Sequence, residues 1–318
     1  MDKPIVLIGE DVGAANLARL RRDFPTAAFR FCLDPAEFVA AAADAEIIFS
    51  KSFPAGSLTT ASHLRWVQAG TAGVDRVIAG LTGREVLLTN ASGAHGVPMA
   101  ELVLGMMLSF AAGLHTAMRA PADYDLPRVQ ILREKFELEG QTLCVLGLGD
   151  IGGTLARKAQ ALGMRVIGVR RGTEPFPYVD AQVMPDRLLD VLPQADHLAL
   201  CLPLTSETVG IVGAAELAAM KSSAYIYNVG RGSSIDPDPL IRALQSGRIA
   251  GAGLDVTDPE PLPADSPLWA LPNVILSRHT SGSSPFNADR ITALFAENLR
   301  RYLAGEPLLH QVDRQLGY

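Results

Sequence analysis

The chain has 318 residues, with 28 Lys and Arg against 34 Asp and Glu, a formal charge of −6. At roughly 150 residues per domain, that length suggests about two domains, each able to bury its own core. Hydrophobic residues make up 48% and charged residues 19%, which excludes a disordered chain, and a mildly acidic surface offers no clustered positive charge to a nucleic-acid backbone.

In chain order, the first hundred residues alternate short β-branched runs with helical stretches. Strands are predicted at Pro4–Ile8, Ala28–Leu33, Glu46–Ser50, Leu64–Gln68 and Val86–Thr89, and helices at Ala14–Arg22 and Pro35–Ala43. Apolar strands separated by helices imply a parallel sheet covered on both faces. The start carries no secretory signal pattern, since its apolar run is short and lacks a small-residue cleavage site. A long helix begins near Pro98. Its stretch Leu102–Met118 has no Asp, Glu, Lys or Arg, but it is shorter than the about 20 residues of a membrane span and contains Gly105, Gly113 and His115. It reads as a buried helix of a cytoplasmic protein. The segment Ala120–Gly140, with Pro121 and Pro127, reads as irregular.

A second α/β series follows. Strands are predicted at Thr142–Gly147, Arg165–Arg170, His197–Leu202, Ala224–Val229, Gly251–Val256 and Val274–Arg278, with a helix at Ile151–Leu162. The closing helix, Pro285–Leu303, sets Ile291, Leu294, Phe295 and Leu299 on one face. Two such series suggest two doubly wound domains with a ligand-binding cleft between them. Cys32, Cys144 and Cys201 each lie in an apolar, strand-like run, so we expect small buried hydrophobes in a reducing compartment, not disulfides.

Behind the first strand of the second series stands Gly147-Leu148-Gly149-Asp150-Ile151-Gly152, a G-x-G-x-x-G between a strand and a helix. Gly147 permits a tight turn, Gly149 allows backbone to approach a pyrophosphate, and Gly152 lets helix pack on strand. An acidic residue about 20 positions on would bond the ribose of NAD. Here the second strand ends in Arg170-Arg171. Two guanidiniums suit a 2′-phosphate, which favours NADP over NAD. The alternative is a solvated pair of surface charges.

Three charged residues recur just beyond later strands: Arg231 in Asn228-Val229-Gly230-Arg231, Glu260 in Asp258-Pro259-Glu260-Pro261, and His279 in Ser277-Arg278-His279-Thr280. Strand ends of one parallel sheet converge on one edge, where the nicotinamide end of a dinucleotide would lie. Ketone reduction needs a proton as well as a hydride. Histidine titrates near neutrality, a neighbouring carboxylate favours its protonated form, and Arg fits a planar carboxylate. Of the other histidines, His197 lies within a strand and reads as structural. His63, His115 and His310 have no partner at a functional spacing, and His95 could approach the cleft. No Cys/His cluster has zinc spacing, so no metal is expected.

In the order and spacing of these residues the chain resembles the D-isomer-specific 2-hydroxyacid dehydrogenases, in particular the glyoxylate/hydroxypyruvate reductase branch. Trp66-Val67-Gln68, Gly70-Thr71-Ala72-Gly73-Val74-Asp75, Thr89-Asn90, Ala100-Glu101 and Leu202-Pro203-Leu204-Thr205-Ser206-Glu207-Thr208 extend the likeness over most of the chain. The resemblance implies a flavodoxin-like substrate domain (1–97 and 286–318) and a Rossmann dinucleotide-binding domain (98–285). It implies that Arg231 binds the substrate carboxylate, that His279 is the acid/base and that Glu260 hydrogen-bonds it. It places Ala72 and Gly73 at the substrate and adds Asp150, Ile151, Pro203, Thr208 and Asp255 to the cofactor residues. The expected activity is reduction of a small 2-oxo acid to a D-2-hydroxy acid by a homodimer, with NADPH or NADH and without nucleic-acid or membrane partners. Family members often carry a Trp in the arm before the dinucleotide domain, whereas the two tryptophans here are Trp66 and Trp269. Pocket shape is expected to depend on Lys51–Gly56 and Gly70–Asp75. The rival reading is a dinucleotide-sensing scaffold, like the transcriptional corepressors that share this fold and triad.

Overall fold

A computed structural model describes residues 3–119 and 125–318. The chain divides into two compact units, Met1–His95 with Ser284–Tyr318, and Gly96–Ser283.

The first unit is built on β1 (Ile5–Ile8), β2 (Ala28–Phe31), β3 (Ile47–Ser50), β4 (Trp66–Ala69) and β5 (Leu87–Thr89). All pair in parallel, in the order β2-β1-β3-β4-β5. Strands β3 and β4 are buried at every position, which is why their sequences run apolar instead of alternating. Helices Ala14–Asp23 and Pro35–Ala42 link the first three strands, and Asp34 caps the second helix by accepting from the N–H groups of Ala36 and Glu37. The closing helix, Asn287–Ala304, turns Ile291, Phe295 and Leu299 inward, each at most 1% exposed. Phe295 stacks on Phe49 at 4.5 Å and on Trp66 at 5.5 Å. Side chains of this size each contribute roughly 1.5–3 kcal/mol by burial, so the helix is bound to the sheet by its apolar stripe.

The second unit carries β6 (Thr142–Leu146), β7 (Arg165–Val169), β8 (Ala181–Val183), β9 (His197–Leu200), β10 (Tyr225–Asn228), β11 (Gly251–Leu254) and β12 (Val274–Leu276). These strands are parallel, in the order β12-β11-β10-β9-β6-β7-β8. The chain winds outward from β6 in one direction through β7 and β8, and in the other from β9 to β12. The β6–β9 boundary is therefore the switch point where a doubly wound sheet opens a crevice at its carboxyl edge. Two apolar clusters, one containing Leu198, Ile226 and Ala252, the other Val145, Leu155 and Tyr227, make up its core.

Several expectations need correction. The segment 120–140 is not irregular throughout: Asp125–Glu134 is helical, while residues 120–124, with Pro121, lie outside the described residues. Pro127 falls in the first turn of that helix, where a backbone N–H has no intrahelical partner to lose. Strand β8 escaped notice because it is three residues long and half-buried at the sheet edge. The apolar stretch from Leu102 is two helices, Gly96–Ala111 and Leu114–Arg119, separated by Gly113 at φ 69°. Among the described residues no helix is long and apolar enough to cross a membrane. Cys32, Cys144 and Cys201 are free thiols, and burial pushes Cys144 and Cys201 up to about 12.

Candidate active site

Strand register sets the spacing of the three charged residues. Asn228, Leu254 and Leu276 are lateral neighbours across β10, β11 and β12. Arg231 and His279 each stand three residues beyond an outer member of that row, so they leave the same edge two strand spacings apart, about 10 Å. Glu260 returns on the loop after β11. Its Oε1 lies 2.5 Å from His279 Nδ1, with the two side chains 37% and 51% exposed. Nδ1 is thereby committed to the carboxylate, and Nε2 is the ring nitrogen left to meet a ligand.

The backbone around these groups is tightly determined. Buried Asn228 accepts from Gly230 N–H (3.0 Å) and donates to the Arg231 carbonyl (2.7 Å), holding the turn that presents the guanidinium. Gly232 packs directly on the Glu260 loop. A Cβ there would stand 1.9 Å from Thr257 O and 2.7 Å from Asp258 N, so only glycine fits. Arg278 and His279 both adopt left-handed backbone, at φ 57° and 56°, a conformation costing about 1–3 kcal/mol per non-glycine residue. Asp255 secures them. Its carboxylate accepts from Ser277 Oγ (2.7 Å), Thr280 N–H (2.8 Å) and Ser281 N–H (3.1 Å), and its carbonyl accepts from His279 N–H (2.6 Å). Asp255 was expected at the cofactor. In the structure its carboxylate, 2% exposed, bonds the loop that carries His279. Glu260 and His279 also line a cavity of about 320 Å³ with Leu254, Leu262, Trp269 and Leu276, whose wall includes Arg278 stacked over Trp269 at 5.1 Å. Trp66 is fully buried in the first unit.

The glycine-rich turn lies on the same edge, between β6 and the helix Asp150–Ala161. Gly147 has φ 91°, and a Cβ there would stand 2.7 Å from Cys201 O. Gly152 approaches Gly147 O so closely that a Cβ would stand 1.9 Å away, whereas a Cβ on Gly149 would meet nothing within 4 Å. Gly149 makes no side-chain cap, so the first-turn N–H groups at Asp150, Ile151 and Gly152 lack intrahelical acceptors. Free N–H donors, helix dipole and missing side chains suit a pyrophosphate. Pro203 and Thr208 follow β9 across the crevice, and Thr208 Oγ1 ties that loop by donating to Pro203 O (2.7 Å) and accepting from Thr205 N–H (2.8 Å). Arg170 and Arg171 follow β7. Arg170 lies over Phe176 at 5.5 Å, and Arg171 pairs with Glu207 at 3.1 Å on the surface.

In the first unit, the loop Gly70–Val74 leaves the carboxyl end of β4. Asn90 Nδ2 donates to Ala72 O (2.9 Å), and Thr71 Oγ1 donates to Gly73 O (2.9 Å). Neither Ala72 N–H nor Gly73 N–H has an acceptor among the described residues. His95 lies 8% exposed behind this loop, with Nε2 3.2 Å from Gly70 O and Nδ1 3.3 Å from Asn287 Nδ2. His197 is fully buried between Gln141 Oε1 (2.6 Å) and the Tyr227 hydroxyl (3.1 Å), and desolvation lowers its pKa to about 4. No cluster able to hold a metal occurs among the described residues.

Sequence reasoning missed Asn228 and Glu10, the latter only 7% exposed at the carboxyl side of β1. For Asn228 a signal existed, a polar residue ending the otherwise apolar run from Ala224. Glu10 carried none, because its burial comes from strands distant in sequence.

Residues 104–281 match the family model for the D-isomer specific 2-hydroxyacid dehydrogenase NAD binding domain. A glyoxylate reductase from Korarchaeum cryptofilum is 32% identical over 77% of this chain and 75% of its own length. The chain belongs to the D-isomer-specific 2-hydroxyacid dehydrogenases. It is an NAD(P)-dependent enzyme. A D-3-phosphoglycerate dehydrogenase from Methanocaldococcus jannaschii is 34% identical over 77% of this dehydrogenase, which spans about half (47%) of that longer protein. Among solved structures, an NADPH-dependent glyoxylate/hydroxypyruvate reductase from Sinorhizobium meliloti, in complex with NADP and sulfate, superposes with a TM-score of 0.84 at 26% identity, covering 99% of this chain and 100% of that one.

Proposed function

We propose that this dehydrogenase reduces a small 2-oxo acid of the glyoxylate/hydroxypyruvate type to the D-2-hydroxy acid, with NADPH preferred to NADH. The observation that carries this reading is the His279–Glu260 pair standing two strands from Arg231 on the edge that bears the glycine-rich crevice. Bound there, the dinucleotide would supply a hydride. Gly147, Gly149, Asp150, Ile151 and Gly152 hold its pyrophosphate. Arg231 grips the substrate carboxylate with its planar fork. His279 donates the Nε2 proton to the carbonyl oxygen, while Glu260 fixes the ring's tautomer and direction through Nδ1. The free N–H groups of Ala72 and Gly73 are assigned to a substrate carboxylate, which makes the first unit the substrate domain.

Arg170 and Arg171 support the cofactor preference, since they occupy the strand end where an acidic residue would repel a 2′-phosphate. Arg171 already pairs with Glu207, but the partners are 43% and 69% exposed. Exposed pairs contribute only about 0–1 kcal/mol, so a phosphate can displace Glu207. We also assign a homodimer in the cytoplasm. Leu108, Leu114, Met118, Val129 and Leu132 are exposed on successive helices of the second unit, an apolar surface suited to a second copy. The three cysteines are free thiols, as a reducing compartment requires.

The test is steady-state reduction of glyoxylate, hydroxypyruvate, pyruvate and bulkier 2-oxo acids with each cofactor. A preference for NADH in kcat/KM would remove the role of Arg170 and Arg171. No turnover of any 2-oxo acid would favour the dinucleotide-sensing scaffold. His279→Ala should lower kcat about 10²- to 10⁴-fold and leave dinucleotide binding intact.

A further inference from the structure

Phe176 lies on the loop between β7 and β8, and the Arg170 guanidinium stands over its ring at 5.5 Å. The same ring reaches the helix that follows the glycine-rich turn. A Cβ on Gly153 would stand 2.7 Å from Phe176 Cζ and 3.0 Å from its Cε1. The G-x-G-x-x-G pattern ends at Gly152, so the further glycine at 153 is explained by the ring that takes its side-chain space. The guanidinium also lies along its own loop: a Cβ on Gly172 would stand 2.5 Å from Arg170 Nη2 and 3.0 Å from its Nε and Cζ. Arg171 pairs with Glu207, whereas Arg170 has no carboxylate partner among the described residues.

One side chain of β8 fixes the loop. Gln182 Nε2 donates to Gly172 O (2.6 Å) and Glu174 O (3.2 Å), and its Oε1 accepts from Phe176 N–H (3.2 Å). Arg170 N–H donates to Val183 O (3.1 Å). The short edge strand thus holds both the backbone of Arg170 and the ring on which its side chain rests. A long arginine side chain loses rotamer freedom when it grips an anion, and that loss opposes binding unless the group is already ordered. Stacking orders it without cost to recognition, because the flat face meets the ring while the N–H donors point outward from the edge. The end of the second strand is also where a dinucleotide fold brings the ribose that carries the 2′ substituent.

We propose that Phe176 is a positioning residue for 2′-phosphate recognition, ordering the Arg170 guanidinium in advance, with Gln182 holding the ring in place. This deepens the cofactor preference proposed above and rests on it. Arg170 is the residue that contacts the phosphate, and Phe176 acts through it. NADH has a hydroxyl at that position and gains nothing from the stack. Loss of the ring therefore separates the two cofactors, whereas loss of a mere prop for the glycine-rich turn would weaken both alike.

Fluorescence titration with NADPH and NADH gives the ratio of dissociation constants, and urea unfolding establishes that each variant is folded. The wild type should bind NADPH about tenfold more tightly or better. Phe176→Leu should lower that preference about fivefold, or about 1 kcal/mol, through NADPH alone. Phe176→Tyr keeps the ring face and should keep the preference, and Gln182→Met should lower it by a smaller factor. Arg170→Met should also lower it, and adding Phe176→Leu to Arg170→Met should change it no further. Should Phe176→Leu fail to fold, Gln182→Met decides by the same ratio. An equal loss of both cofactors in Phe176→Leu, a ratio unchanged in both loop variants, or the same effect with and without Arg170 overturns the inference and leaves the role of Arg170 intact. A wild type without NADPH preference, or a ratio unaltered in Arg170→Met, overturns the cofactor reading and this inference with it.

Discussion

Replacing Gly232 with Ala tests whether the site is as tightly built as its geometry indicates. The added Cβ would stand 1.9 Å from Thr257 O, 2.1 Å from Thr257 C and 2.7 Å from Asp258 N. All three are backbone atoms, so no flexible side chain can swing aside. Ordinary contact begins near 3.4 Å, so one of the two loops must shift by about 1.5 Å. The moving segment lies between Arg231 on one side and Glu260 on the other, and Glu260 in turn sets the His279 ring. Overpacking of this kind costs roughly 1–3 kcal/mol of stability. A displacement of about 1 Å at positioned catalytic groups costs about 10²-fold in rate. We therefore expect Gly232→Ala to lower kcat/KM for the 2-oxo acid about 100-fold. Affinity for the dinucleotide, measured by fluorescence titration, should change little, because the Gly147–Gly152 turn follows β6 and does not contact Gly232. Urea unfolding should show a modest loss and remain cooperative. A variant with kcat/KM within twofold of wild type would show that the loops absorb the methyl group, and the claim that Gly232 couples Arg231 to Glu260 would fail.

Gly152→Ala places a Cβ 1.9 Å from Gly147 O, so it should weaken dinucleotide binding at least tenfold by titration, and unaltered affinity would contradict the pyrophosphate assignment. Arg231→Lys keeps the charge but not the two-pronged geometry; because hydrogen bonds to charged groups contribute about 1.5–3 kcal/mol, kcat/KM should fall roughly 10- to 100-fold, and wild-type kinetics would refute the carboxylate contact. Burial holds His197 neutral down to about pH 4, whereas the unfolded chain binds that proton near pH 6.5. The unfolded state therefore carries more protons between these values, and stability should be lost as pH falls through that window, by about 3 kcal/mol in all. In His197→Gln this part of the pH dependence should vanish, whatever the variant's stability at pH 7, and equal slopes in urea unfolding between pH 7 and pH 4 would refute the assignment.

The sequence by itself determined the α/β class, because strands buried on both faces must be apolar throughout and the runs at Ile47–Ser50 and Gly251–Leu254 leave no other reading. It also singled out the glycine-rich turn and Arg231, Glu260 and His279 as candidates, since phosphate binding and proton transfer restrict residue type and spacing along the chain. Local propensity did not disclose β8 or the helix Asp125–Glu134: one is too short, and the other lacks an apolar stripe. Tertiary structure alone decided what Asp255 does, because its partners Ser277, Thr280 and Ser281 come from the loop beyond another strand. The same holds for Glu10, Lys51 and Gly70, which meet only once β1, β3 and β4 lie side by side. Strand order and register bring such groups together, and both follow from packing between segments far apart in sequence, which no local pattern encodes.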